Sequence, residues 1–213
     1  MKKPALIALA TLASGTFALS SLTAQGQVPG SVEISRVQAG DYALDSSHTQ
    51  VGWEVSHFGF NDYFGLFGDI EGTLSLDPAN VEAAQFDITI PITSVAVSSD
   101  GLRDHLLRAG KDGAEPDFFG PDPAPARFTS SSVRQTSDTS AVVTGQLAMN
   151  GNTGPVTMLV EFTGAGQNPM NQAATVGFHG RARIDRTRWG IDYGAPAVGT
   201  TVDLKISAAF EKR

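Results

Sequence analysis

The chain has 213 residues, 41% of them apolar and only 17% charged, against a usual charged share of about 25%. That length suits one domain with a substantial core, and the net charge of −7 disfavours non-specific binding to nucleic-acid phosphates. The absence of cysteine excludes disulfides, thiol catalysis, Cys-ligated zinc, iron–sulfur clusters and a bacterial lipoprotein anchor.

The first residues read as a secretory signal peptide. Lys2 and Lys3 give a positive start, Ala5 to Ala13 is almost wholly apolar, and small residues frame candidate cuts after Ala18 or Ala24. The apolar run is shorter than the ~20 residues of a bilayer span and is interrupted by Ser14, Gly15 and Thr16, which argues against a membrane anchor. No later segment could cross a membrane as a helix. The expected organisation is a signal peptide over 1–24, a flexible Gln/Gly/Pro/Ser tether over 25–40 and a folded domain over 41–213.

From Asp41 onwards a two-residue rhythm dominates. A brief strand over Asp41 to Asp45 is followed by one from Thr49 to Phe58, in which Val51, Trp53 and Val55 alternate with Gly52 and Glu54. The stretch Phe58 to Gly68 is too rich in glycine for a stable helix and too aromatic for a solvent loop. A strand over Ile70 to Leu76 ends at the turn signal Asp77-Pro78. Ala84 to Val95 is the clearest strand, with Phe86, Ile88, Ile90 and Ile92 on one face. One short helix is predicted over Gly101 to Ala109, from the spacing of Leu102, Leu106 and Leu107. A Gly/Pro/Asp-rich loop around Phe118-Phe119 follows. Strands are then predicted over Ala126–Val133, Ala141–Met149, Val156–Phe162, Thr175–Ile184 and Thr201–Phe210. Asn150-Gly151-Asn152 is a hairpin turn, 164–171 a loop, and Arg186 to Ala197 a long loop.

Short antiparallel strands with one apolar face and almost no helix to cover them close either as a sandwich or as a barrel. Gly72, Gly145, Gly180, Ala182 and Ala208 fall on the apolar phase and leave room inside, which favours a barrel around a ligand-sized space.

Candidate chemistry is sparse. His48, in Asp45-Ser46-Ser47-His48, fits a turn with polar tips better than a nucleophilic triad. His105 lies in the short helix, His179 on the polar phase, and neither His-x3-His nor Glu-x-x-His spacing exists, so no metal or catalytic constellation is expected. His57 differs, because it continues the inward phase of Trp53 and Val55. It is a core-edge histidine bonded to backbone, a polar contact at the mouth of the lumen, or a general base. Arg181 and Arg183 belong to a solvated face. Arg186 and Arg188 flank Trp189 in a loop, where a guanidinium could meet a phosphate or carboxylate. Phe118 and Phe119 form a plug at one barrel end or a hydrophobic lip, with the plug favoured.

Several motifs in register carry a resemblance. Tyr42-Ala43-Leu44-Asp45, Ser47-His48, Val55-Ser56-His57-Phe58-Gly59, Gly65-x-Phe67 and Gly72-Thr73-Leu74 follow one another. Arg103-Asp104-x-Leu106, Asp117-Phe118-Phe119, Pro125-x-x-Phe128-x-Ser130, Asn150-Gly151, Ile184-x-Arg186 and Trp189-Gly190-Ile191 complete the series. The chain from Tyr42 to its C-terminus resembles the YceI family of periplasmic proteins. The resemblance implies an all-β, eight-stranded, antiparallel, lipocalin-like barrel with an elongated apolar lumen that binds an isoprenoid or related lipid chain. Carried over, Trp53, Val55, His57, Phe58, Phe86, Ile88, Ile90, Phe128 and Phe178 would line that lumen. Residues 108–117 look longer than the family's usual link to its Asp-Phe-Phe motif.

The expected function is that of a periplasmic binding or carrier protein for an isoprenoid or fatty-chain lipid, without cofactor. His57 and Arg186 or Arg188 would orient the polar end. The rival reading is an enzyme acting on a lipid or quinone-like substrate with His57 as acid or base. A third is a barrel filled by its own side chains that meets a protein partner through its acidic exterior. Unpaired strand edges leave room for a homodimer.

Overall fold

A computed structural model describes residues 28–213; the expected signal peptide lies outside the described residues. The strands are β1 (Gly40–Leu44), β2 (Gln50–His57), β3 (Asn61–Phe67), β4 (Glu71–Leu76), β5 (Gln85–Ile90), β6 (Ala96–Val97), β7 (Ala126–Ser137), β8 (Ser140–Met149), β9 (Asn152–Gln167), β10 (Ala174–Asp185) and β11 (Val198–Lys212), with one α-helix, α1 (Asp100–Leu107). Ser99 starts that helix by accepting a hydrogen bond from the Leu102 amide through its side chain.

β1, β4, β5, β7, β8, β9, β10 and β11 pair in that order, and β1 pairs again with β11, so eight antiparallel strands close a barrel. The remaining strands extend its wall. β11 is long enough to pair with β1 at Leu44↔Phe210 and with β2 from Ile206↔Val51 to Val198↔His57. β1 and β2 are therefore two halves of one wall strand, bent at 45–49. There the Asp45 carboxylate accepts from the Ser47 amide at 3.1 Å and lies 2.7 Å from Nδ1 of His48, the polar turn expected from sequence. β3 and β4 break at Gly68-Asp69, where Asp69 takes a φ of +50°.

Several elements differ from expectation, among them β7, which runs on to Ser137 instead of ending at Val133. The strand begun at Gln85 stops at Ile90, because Pro91 has no N–H for the ladder; a 3-10 turn over Ile92–Ser94 leads to the short β6. The aromatic stretch after Phe58 is a hairpin strand, β3, with Tyr63 and Phe67 turned inward and Phe64 and Leu66 outward. β9 runs on to Gln167 instead of ending at Phe162. That added edge holds the expected tether: Ser31 and Ala165 exchange backbone hydrogen bonds of 3.1 and 2.9 Å. Arg36 bonds to Ser31 Oγ at 2.8 Å, and the Tyr42 hydroxyl donates to Gln38 O. The backbone of Ser31 reaches β9 at Gly164, where a Cβ would stand 3.2 Å from it.

One end of the barrel is stopped by a packed floor. Tyr42, Leu74, Val176 and Phe210 are almost fully buried there, and Phe178 stacks edge-on or tilted against Phe86, Phe162 and Phe210 at centroid distances of 6.0 to 6.5 Å. At the other end β6 reaches only β3, and α1 with the Phe118-Phe119 loop covers the gap towards β7. The Phe119 amide donates to Leu106 O at 3.1 Å, and its ring meets Phe67 edge-on at 6.4 Å.

The inward glycines do not leave room in the way the sequence suggested. Each lies beneath a large neighbour. The indole of Trp53 crosses Gly65, its direct cross-strand partner. The ring of Phe128 covers Gly145, where an added Cβ would sit 2.5 Å from its Cζ. Ile88 and Ile206 cover Gly72 and Gly180 in the same way. Large side chains are thereby laid along the wall, and the centre stays open. Gly65→Ala is expected to drive the indole off the wall at a cost of about 1–3 kcal/mol. A lower denaturant midpoint with an altered Trp53 fluorescence would register it.

Candidate functional site

Inside the barrel is a cavity of about 910 Å³. From Val198 to Phe210, at about 3.3 Å per residue and a tilt of about 40°, the wall is roughly 30 Å deep. All ten residues singled out from sequence border this space: Trp53, Val55, His57, Phe58, Phe86, Ile88, Ile90, Phe128, Phe178 and Arg186. The wall between mouth and floor is aliphatic and aromatic, with Ile88, Ile90, Met158, Val202, Leu204 and Ile206 prominent. Such residues are only half-buried although they face inward, since the surface they present belongs to the cavity.

Polar side chains gather at the mouth. His57 sits at the end of β2 opposite Val198, its ring edge-on to Phe58 at 4.3 Å. Among the described residues its imidazole forms no side-chain hydrogen bond or ion pair, so neither backbone nor carboxylate fixes its orientation. Tyr63 places its hydroxyl 3.3 Å from Ser98 Oγ. Deeper in the wall, Nε1 of Trp53 is buried without a hydrogen-bond partner.

Sequence reasoning missed His105, Tyr193 and Tyr63 as cavity residues. For His105 a signal existed: Leu102, His105 and Leu106 stand at i, i+3 and i+4, one helical face. That face looks into the barrel. His105 Nε2 lies 2.6 Å from Asp117 Oδ2, and Arg108 holds the same oxygen at 3.1 Å. The His105 ring also packs edge-on against Phe118 at 5.1 Å and Tyr193 at 4.9 Å. The Phe118-Phe119 loop thus serves as both plug and lip: it seals the wall beside α1 and lines the cavity.

Arg186 has another task than the one expected. It is 5% exposed, and four of its five N–H donors are committed to backbone carbonyls: Gly199 at 2.8 Å, Ile191 at 2.6 Å, Tyr193 at 3.1 Å and Val198 at 2.9 Å. It is the internal brace of the 186–199 loop. Burial lowers the affinity of its guanidinium for the proton, partly offset by Asp192 and Asp185. Arg188 does not border the cavity; its guanidinium lies 5.8 Å from the ring centre of Trp189. Trp189 is buried and donates from Nε1 to Leu147 O at 2.9 Å. Arg183 forms a two-pronged pair with Asp203 on the outer wall, and His179 is exposed.

Comparison with known proteins places this barrel. The profile of the YceI-like domain matches residues 42–210. The chain belongs to the YceI family. It is 33% identical over 201 residues to the UPF0312 protein of Pseudomonas fluorescens (strain SBW25), covering 93% of this chain and 94% of that one. Over 181 residues it is 33% identical to the UPF0312 protein of Pseudomonas putida (strain KT2440), covering 84% and 90%. The fold is similar to that of BcnA from Burkholderia cenocepacia, with a TM-score of 0.61 at 22% identity over 78% of this chain and 98% of that one. A polyisoprenoid binding domain from Saccharophagus degradans, implicated in plant cell wall breakdown, matches with a TM-score of 0.54 at 14% identity over 81% and 98%. No helix among the described residues is long and apolar enough to cross a membrane.

Two outcomes follow from the mouth. Arg186→Ala leaves four carbonyls without their charged donor and is expected to lower stability by about 2–4 kcal/mol, measurable by denaturant titration. The His105 hydrogen bond, with a smaller effect from Arg108, holds the Asp117 carboxyl below the usual carboxylate range. Its contribution to anchoring the loop is complete above that usual value and is lost as pH falls through the lowered one. Hydrogen exchange over residues 110–126 should accelerate in strong acid relative to β8, and Asp117→Asn should remove that dependence.

Proposed function

We propose that the protein binds and carries a long-chain amphiphile, an isoprenoid or a comparable lipid, with the chain in the lumen and the polar end at the mouth. The observation that carries this reading is the shape and chemistry of the cavity, about 910 Å³ of apolar space that reaches the surface beside His57, Phe58, Ser99 and Tyr193. Its volume lies at the upper end of the range usual for small-molecule pockets. Each methylene moved from water to such a wall contributes ~0.8 kcal/mol, so a long chain needs few polar contacts to bind tightly. The polyisoprenoid binding domain of Saccharophagus degradans, of similar fold, supports the ligand class.

The residues assigned to the site are those named from sequence, with Arg186 acting as the brace of the mouth. His57, whose imidazole has no hydrogen-bond partner among the described residues and stands edge-on to Phe58, is the group we assign to the polar end of the ligand. Catalysis by His57 would require a partner that orients the imidazole, and no described side chain bonds to it. The charged start and apolar run of residues 1–24 support export, and with it a periplasmic place of work.

Native mass spectrometry of protein purified from its source should show a lipid adduct. After delipidation, the barrel should take up one equivalent of a fluorescent geranylgeranyl analogue. His57→Ala is expected to weaken that uptake about two- to tenfold, the range of one hydrogen bond. No adduct together with no uptake would end the proposal. Turnover of the analogue that vanishes in His57→Ala while binding is kept would replace it with an enzyme.

A further inference from the structure

The β2–β3 hairpin projects from the mouth and ends in aromatic residues. His57 pairs with Asn61, leaving Phe58-Gly59-Phe60 as the turn. Phe58 takes a φ of +56°, a left-handed backbone that a phenylalanine adopts only under constraint. Its amide donates to Ala197 O at 2.8 Å, which ties the tip to the loop across the mouth. The Phe58 ring both borders the cavity and stands 54% exposed. Phe60 is 89% exposed and does not border the cavity. Tyr193, on the 186–199 loop at the same mouth, is 46% exposed.

The tip itself is uncharged. Phe58 to Asn61 carries no charge, and the tip has no lysine or arginine. Behind it Asp62 of β3, Glu54 of β2 and Asp203 of β11 lie near one another on the outer face, Asp203 held by Arg183 of β10. Glu54 binds its proton more tightly than usual, through partial burial first and then through the charges of Asp62 and Asp203.

We propose that Phe58, Phe60 and Tyr193 insert into the headgroup region of a zwitterionic lipid bilayer and set the mouth of the barrel against the membrane. The proposal rests on the carrier reading, since a lipid cargo must leave and enter a bilayer. Aromatic rings favour the membrane–water interface, and a few of them bind weakly and reversibly, as a carrier requires. Glu54 and Asp62 on the flank, with no basic residue at the tip, oppose an anionic surface. A three-residue protrusion is too small to supply the ≈ 800 Å² per partner of a standard protein interface, which sets aside a second copy of the chain.

The test is flotation with phosphatidylcholine vesicles, comparing the wild type with Phe60→Ser. Phe60 lies outside the cavity wall, so the variant should fold normally and keep the wild-type affinity for the fluorescent geranylgeranyl analogue in solution. Its partition into vesicles should fall about tenfold, and transfer of the analogue between vesicles should slow with it. Phe60→Trp should restore or exceed wild-type partition. Added salt should leave wild-type partition unchanged, and phosphatidylglycerol in the vesicles should reduce it. A wild type that does not float, a Phe60→Ser variant that floats equally well, or an effect of Phe60→Ser confined to self-association in sedimentation velocity would overturn the proposal. A wild type that floats through Phe60 but takes up no analogue would remove the carrier reading and leave the docking surface standing.

Discussion

A side chain as large as tryptophan can face the inside of an eight-stranded barrel without filling it only if something small lies beside it. In this protein that something is a glycine on the next strand. Trp53 lies over Gly65, Phe128 over Gly145, Ile88 over Gly72 and Ile206 over Gly180. Three of these four pairs are direct partners in the sheet register. The arrangement turns bulk sideways: the wall is thick in apolar contact and the axis is clear. A barrel of this strand number with rings pointing at its axis would be filled by them, as small barrels usually are. The cavity is therefore a property of particular neighbours across strands rather than of small residues as such.

The mouth depends on a different interaction. A buried guanidinium is costly unless its donors are met, and Arg186 meets that demand by drawing around itself two carbonyls of the following loop and two from the start of β11. The loop then presents Tyr193 to His105, which in turn holds Asp117 and stacks on Phe118. One charge at the base of the loop thus organises three segments that are far apart in sequence: α1, the Phe118-Phe119 loop and the turn before β11. The charge is enclosed by backbone oxygens and contributes order to the rim.

Much of the architecture was legible in the strand period, because a face buried against a shared interior must alternate. Val51 to His57, Phe86 to Ile90 and Val202 to Phe210 announced their inward residues through that rule alone. The period carries no information about what lies beside a residue on the neighbouring strand. A glycine on the inward phase therefore reads as a vacancy when it is a seat for a neighbouring ring or isoleucine. Pro91 could have been read as the end of its strand, since a missing N–H is visible in sequence. The hairpin strand Asn61–Phe67 was obscured by aromatic residues on both of its faces, which leaves no clean alternation of apolar with polar. The role of Arg186 was hidden for a more general reason: its partners are backbone carbonyls, and every residue has one.

The aromatic floor has a mechanical meaning for anything that occupies the lumen. With Phe86, Phe178 and Phe210 locked together above a buried Tyr42, the barrel is a well and not a pipe. Any guest would have to enter and leave by the same opening, so filling and emptying would exclude each other. A second guest would have to wait for the first, and a receiver of cargo would have to meet the same rim that a donor did.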